Sequence, residues 1–258
     1  MNRIQGKVVV ITGASAGIGA ACARAFARHG AELILLARRE DRLNQVADEI
    51  EQEHGKRPRT FVLDVRDRDG VVAFGEQLEA DGVVPDVLLN NAGLSRGLAK
   101  LHEGSFEDWD EMIDTNIKGL LNVTRAILPM MVRRDRGHVV NIGSTAGHLV
   151  YPGGNVYNAT KFAVRALNEA MNLDLLGTRI RVSSIDPGMV ETEFSLVRFR
   201  GDKERAAAVY RGFQPLTAED VADAVLYVVN APEHVNVLDM VILPTAQRNF
   251  YLVDRREG

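Results

Sequence analysis

The sequence predicts an α/β fold, a doubly wound parallel sheet with helices on both faces, built as a single domain. Three observations carry this expectation. Short apolar runs bounded by turn residues alternate with amphipathic stretches of about 10–15 residues. A glycine-rich turn links the first apolar run to the first amphipathic stretch. A chain of 258 residues can bury a core on several sides without requiring a second unit.

Residues 7–12, KVVVIT, read as a buried strand, and GIGAACARAFARHG as a helix, with Ile18, Cys22, Ala25 and Phe26 at helical spacing and Gly30 at its end. ELILLA, 32–37, is a second strand, DRLNQVADEIEQEHG a helix closing at Gly55, and TFVLDV, 60–65, a third strand. The rhythm continues with a helix over 70–80, a strand over 85–90, a long helix from 106 to 134 and a strand over 138–142. A helix from near Val156, a strand over 179–185, a helix over 218–229 and the strand-like VLDMVIL complete it. Each crossover must return across the sheet, so strands alternating with helices run parallel and are covered on both faces. Residues 191–213 break the pattern and read as a mobile, basic, partly helical, lid-like insertion, the usual use of a loop this long.

Lys plus Arg number 31 and Asp plus Glu 35, with the basic residues scattered, which gives no nucleic-acid footprint. The apolar run from Val8 to Ile11 is too short for a secretory segment, and no run approaches a membrane span. A cytoplasmic protein with a small-molecule substrate, and without a nucleic-acid or membrane partner, is expected. Cys22 stands alone among small apolar residues and reads as a packed thiol. His29, His54, His102, His138 and His234 share no metal-ligand spacing, so no metal is expected.

TGASAGIG puts Gly13, Gly17 and Gly19 between a strand and a helix, where a backbone free of side chains lets a pyrophosphate reach the helix N-terminus. The architecture is therefore Rossmann-like. At the end of the second strand a carboxylate would hold a ribose 2′-hydroxyl, whereas LLARRED offers Ala37 followed by Arg38 and Arg39. Two guanidiniums suit a 2′-phosphate and predict NADP(H). Asp64 in LDV and Asn91 to Gly93 in LLNNAG place polar groups at successive strand ends, where an adenine edge and a ribose could rest.

Tyr157 and Lys161, four apart, share one helix face, and Ser144 lies at the end of the fifth strand in NIGSTAG. Moving a phenol from a pKa near ~10 to ~7 takes about 4 kcal/mol. A positive charge about 6 Å away at an effective dielectric of ~20 supplies about 3 kcal/mol. By this arithmetic Lys161 nearly suffices, a cationic nicotinamide covers the remainder, and Ser144 can hold the substrate oxygen for proton transfer.

In TGASAGIG, NNAG, MIDTNIKG, the Ser144, Tyr157 and Lys161 set, and DPGMVET, the chain resembles the short-chain dehydrogenase/reductases over nearly its whole length. The resemblance implies that Tyr157 is the general acid/base, that Lys161 lowers its pKa and holds the nicotinamide ribose, and that Ser144 orients the substrate. It also implies that Asn116 supports a water-linked proton relay to Lys161 and that Thr192 meets the nicotinamide carboxamide. Further implied cofactor contacts are Ser15, Ile18, Val65, Ala92, Pro187, Gly188 and Val190.

NIGSTAG, YPGGNVYNATK, FSLVRFRGD and PLTAEDVADAV resemble the branch of NADP-dependent 3-hydroxy acid dehydrogenases acting on serine and allo-threonine. The expected reaction is hydride transfer between NADP(H) and a secondary alcohol or ketone, here a small 3-hydroxy acid. Arg198 is favoured over Arg96 and Arg200 as the partner of the substrate carboxylate. A carbonyl or 3-oxoacyl carrier-protein reductase, and a non-catalytic NADP(H)-binding sensor or scaffold, are the alternatives. Gly143, where many members of the family have serine, should widen the pocket, and His148 reads as a pocket-wall residue. Apolar residues on several sides of the helices at 106–134 and 156–176, together with the family habit of pairing them, predict a homotetramer. The C-terminal QRNFYLVDRREG could reach a neighbouring subunit.

Overall fold

Val9, Val10 and Ile11 have no exposed surface, which is what a strand flanked by layers on both faces requires. They belong to β1 (Val8–Thr12) in a computed structural model that describes residues 2–249 and 252–256. The other strands are β2 (Glu32–Ala37), β3 (Arg59–Val62), β4 (Val87–Asn90), β5 (Gly137–Ile142), β6 (Ile180–Pro187) and β7 (Asp239–Ile242). All pair in parallel, in the order β3-β2-β1-β4-β5-β6-β7. Chain direction across the sheet reverses between β1 and β4, and a cleft opens there at the carboxyl ends of the strands.

One face is covered by α1 (Gly17–Arg28), α2 (Glu40–His54) and α9 (Ala218–Asn230). Alanines at 20, 21 and 25 let α1 approach α9 closely, while Phe26 fills the interior with no exposed surface; burying such a ring contributes about 1.5–3 kcal/mol. Thr217 and Asp220 exchange side-chain to backbone bonds of 3.2 and 2.8 Å, a capping box that starts α9. The other face is covered by α3 (Arg68–Ala80), α5 (Leu120–Arg134) and α6 (Asn155–Asp174). The long helix expected over 106–134 is divided: α4 (Phe106–Ile113) passes into α5 through a π-helical turn, Asp114–Gly119.

A polar ladder crosses the sheet near its carboxyl edge. Asn90 donates to Asn141 Oδ1 and Thr124 Oγ1, each at 3.0 Å; Asn141 donates to Asn168 Oδ1 at 2.9 Å; Asn168 donates to Leu238 O at 3.1 Å. Asn90 and Asn141 are register partners on β4 and β5, so the ladder locks that register.

Residues 191–213 contain two short helices, α7 (Phe194–Arg198) and α8 (Lys203–Ala208). The described part of the C-terminal tail returns to its own chain: Arg255 donates to Val209 O and Arg211 O at 3.0 and 2.6 Å, and Arg256 N to Gly212 O at 2.8 Å. Phe250, Tyr251, Glu257 and Gly258, also part of the segment expected to reach a neighbour, lie outside the described residues. Among the described residues no helix is long and apolar enough to cross a membrane.

Candidate active site

At the end of β1, Thr12 Oγ1 accepts from the N–H groups of Asn91 and Ala92 at 3.0 and 2.9 Å, while Asn91 Nδ2 donates to Thr12 O at 2.9 Å and Gly13 O at 3.3 Å. These bonds join the glycine turn to the end of β4. Gly13 and Gly17 adopt φ of +67° and +51°, and a Cβ on Gly19 would stand 2.4 Å from Gly13 O. Glycine is what lets the turn fold onto the helix start. No side chain caps α1, so its first N–H groups remain available to an anion.

The cleft has a volume of about 600 Å³. All the expected cofactor residues line it except Gly19, which is buried under the turn. At the end of β2, Arg38 lies 3.8 Å from Asp64, which is itself held by Arg66 at 2.6 Å. Arg39 donates to Ser15 Oγ at 3.4 Å and to Glu193 Oε2 at 3.0 Å, and Arg42, one turn into α2, grips the other oxygen of Glu193. Small residues around an uncapped helix start, with three arginines at the β2 end, form a donor set that fits a dinucleotide carrying an additional phosphate.

β5 delivers Ser144 to the opposite end of the cleft. Its Oγ accepts from Ala146 N at 3.1 Å, starting the short 3-10 turn Thr145–Gly147. Asn158 Nδ2 donates to Ala146 O at 2.9 Å and Leu149 O at 3.1 Å, fastening that turn to α6. One turn apart on α6 are Tyr157 and Lys161, each 7% exposed. Lys161 Nζ donates to Ile142 O at 2.8 Å and lies 6.0 Å from the centre of the Tyr157 ring.

Asn116 sits in the π-helical turn, a local widening often found at functional positions. Its amide exchanges two 2.8 Å bonds with Leu94 backbone and donates to Thr160 Oγ1 at 3.0 Å. It does not line the cleft, but it stands with Lys161 Nζ beside Gly93: a Cβ built there would be 3.2 Å from Asn116 Oδ1 and 3.8 Å from Nζ.

Burial, with a smaller contribution from Tyr151, pushes the Tyr157 phenol up to about 12, while Arg198 and the Ser144 hydroxyl act in the opposite sense. Burial also lowers Lys161 to about 8, against the raising effect of Asp186. Desolvation of both groups thus opposes the Lys161 attraction expected from the sequence.

Arg198 is not on the wall of the main cleft. Its guanidinium lies 5.4 Å from the Tyr157 ring centre and 5.0 Å from that of Phe194, and Nη2 donates to Tyr151 Oη at 3.2 Å. Its Nε is buried without a hydrogen-bond partner. Arg96 is committed to Glu111 at 2.6 Å and to Val197 O at 2.5 Å, and Arg200 pairs with Asp108.

Two expectations change behind the site. His148 lies off the cleft wall, with Nε2 against Asp186 Oδ2 at 2.5 Å and Asp239 at 3.8 Å. Burial and the Asp186 carboxylate raise Asp239 to about 6. Gly143 does not widen the pocket: a Cβ there would fall 1.7 Å from Asp186 Oδ1, so the missing side chain makes room for a buried carboxylate. Thr12, Arg42, Asn158, Asp186 and Glu193 were not singled out from sequence. Arg42 alone left a readable signal, three residues after Arg39 in the first turn of the helix that Arg39 precedes.

A family profile described as short chain dehydrogenase matches residues 7–202. The chain is 47% identical over 241 residues to the NADP-dependent 3-hydroxy acid dehydrogenase YdfG of Salmonella typhi, covering 93% of this chain and 96% of that one. It is 45% identical over 250 residues to sulfoacetaldehyde reductase 2 of Chromohalobacter salexigens, covering 96% and 98%. Among solved structures, the closed form of a serine dehydrogenase complexed with NADP+ superposes with a TM-score of 0.90 at 44% identity, covering 97% of this chain and 100% of that one.

Proposed function

The chain belongs to the short-chain dehydrogenase family, and from that premise we propose that it interconverts a small 3-hydroxy acid, such as serine or allo-threonine, and the matching 3-oxo acid with NADP(H) as redox partner. Serine carries a primary hydroxyl at C3 and allo-threonine a secondary one, so both alcohol classes fall within the reading. When bound, the nicotinamide supplies hydride exchange at carbon and, in its oxidised form, a positive charge. Gly13, Gly17 and the α1 N-terminus would hold the pyrophosphate, Arg38, Arg39 and Arg42 the 2′-phosphate, and Lys161 the nicotinamide ribose.

The protein's own part is the proton. Tyr157 gives it to the substrate oxygen in reduction and takes it in oxidation. Ser144 donates a hydrogen bond to the same oxygen and fixes it within reach of the phenol. Asn116 holds the backbone at Leu94, which keeps Gly93 beside Lys161. A water-linked relay from Lys161 past Asn116 would use that position.

The observation that carries the choice of an acid is the half-buried Arg198 guanidinium, set over the Tyr157 ring with its buried Nε lacking an acceptor. A 3-hydroxy acid has its carboxylate two bonds from the carbinol carbon, so a cation beside the proton donor is where that charge needs one. Losing a hydrogen bond to a charged group costs about 1.5–3 kcal/mol. Arg198→Met should therefore lower kcat/KM for L-serine about 10- to 150-fold while changing that for 2-aminoethanol, which lacks the carboxylate, far less. Equal losses on both would remove the role of Arg198 and the reason for preferring an acid.

The sulfoacetaldehyde reductase among the relatives favours a second reading, a two-carbon aldehyde bearing a sulfonate. The same guanidinium would accept that anion, and sulfoacetaldehyde belongs in the same comparison.

A homotetramer is part of the proposal. Leu121 and Val132 on α5, and Phe162 and Leu173 on α6, are each at least 40% exposed, leaving apolar stripes on neighbouring helices.

A further inference from the structure

Glu193 stands at the entrance to residues 191–213, immediately before α7, yet its carboxylate reaches the far end of the cleft. Oε2 accepts from Arg39 Nη1 at 3.0 Å and Oε1 from Arg42 Nη1. Arg42, and after burial is set against it Arg39, hold the Glu193 carboxyl below the usual carboxylate range. Arg39 also touches Ser15 in the glycine turn, at 3.4 Å. The two guanidiniums that flank the start of α2 are therefore already engaged by one carboxylate, from a segment more than 150 residues away in sequence.

On the NADP reading above, these are the cations a 2′-phosphate would use. A phosphate monoester carries more charge than one carboxylate and offers three oxygens to the same donors. The two anions cannot share one set of N–H groups without mutual repulsion. Thr192, next to Glu193, packs against the glycine turn 3.4 Å from where a Gly17 Cβ would stand, and α7 carries Phe194 and Arg198 onto the Tyr157 ring. The Glu193 contact thus lies on a continuous path from the phosphate end to the proton donor.

We propose that Glu193 is a specificity-determining residue: a built-in competitor that occupies Arg39 and Arg42 in the free protein and gives them up to the cofactor 2′-phosphate, at the same time releasing the start of α7. Glu193 lowers the affinity for NADP(H) below what the arginines alone would give and leaves that for cofactors with a free 2′-hydroxyl unchanged.

Calorimetric titration of the full chain with 2′,5′-ADP and with 5′-AMP tests this without turnover. In Glu193→Gln, and in Glu193→Ala as a second variant, 2′,5′-ADP should bind about three- to tenfold tighter, the size expected for exposed ion pairs. 5′-AMP affinity should not change, which also shows that each variant is folded. Unchanged or weaker 2′,5′-ADP binding in both variants would overturn the competitor role. Should the wild type bind the two nucleotides equally well, the NADP reading fails independently of Glu193. A wild type that prefers 2′,5′-ADP, with no gain in the variants, removes only this inference.

Discussion

The phenol of Tyr157, 7% exposed and clustered with Phe194 and Arg198, has an environment that sets its working form. Desolvation raises it to about 12, so the free protein holds a protonated acid, the form that reduction of a 3-oxo acid requires. Oxidation needs the phenolate, whose fraction grows about tenfold per pH unit below the pKa, so the oxidative rate rises with pH. Lys161, lowered to about 8, loses charge as pH rises through that value and blunts the gain. Ultraviolet difference titration of wild type against Tyr157→Phe, without cofactor, should show no Tyr157 phenolate below about pH 10. A phenolate appearing with a midpoint near neutrality would show that the Lys161 charge outweighs burial. The Tyr157, Lys161 and Ser144 set was legible in the sequence because four residues on a helix define one face. The desolvation was not legible, because it depends on Phe194, Tyr151 and Arg198 closing over the ring.

Between elements, the decisive contact joins β5 to β6. Asp186, 2% exposed, receives Ser184 Oγ at 2.6 Å and places its Oδ1 where a side chain on residue 143 would begin. Gly143 lies between Ile142, whose carbonyl holds Lys161, and Ser144. Gly143→Ala should therefore overpack the site by about 1–3 kcal/mol, lowering Tm by about 3–10 °C. In an Asp186→Ala background the same change should cost almost nothing, a coupling that a double-mutant cycle of melting temperatures reads directly. Independent, additive losses would mean that Gly143 is not reserved for the carboxylate. Strand and helix order followed from hydrophobic period alone, since that signal is local. The helix at 106–134 read as continuous because its apolar period persists through the π-helical turn at Asn116. The Asn90 to Asn168 ladder and the Glu193 contact with Arg39 and Arg42 escaped notice because each joins residues that only the finished topology brings together.

At the scale of the molecule, seven parallel strands turn their carboxyl ends toward one cleft, with the glycine turn and arginines over β1 and β2 at one end and Ser144, Tyr157 and Lys161 over β5 and α6 at the other. On the proposed function, the span between them would let one extended dinucleotide present its reactive ring to Tyr157 while its distant phosphate meets the arginines. Binding energy gathered at the far end then aligns the reacting atoms. The most direct measurement is the initial rate of NADP+ reduction with L-serine, L-allo-threonine and 3-hydroxyisobutyrate, for wild type and Tyr157→Phe, with NAD+ run in parallel. The account predicts turnover of at least one of these acids, a strong preference for NADP+, and a loss of about 100-fold or more in the phenylalanine variant. Equal rates with NAD+, or a Tyr157→Phe protein as active as wild type, would contradict it.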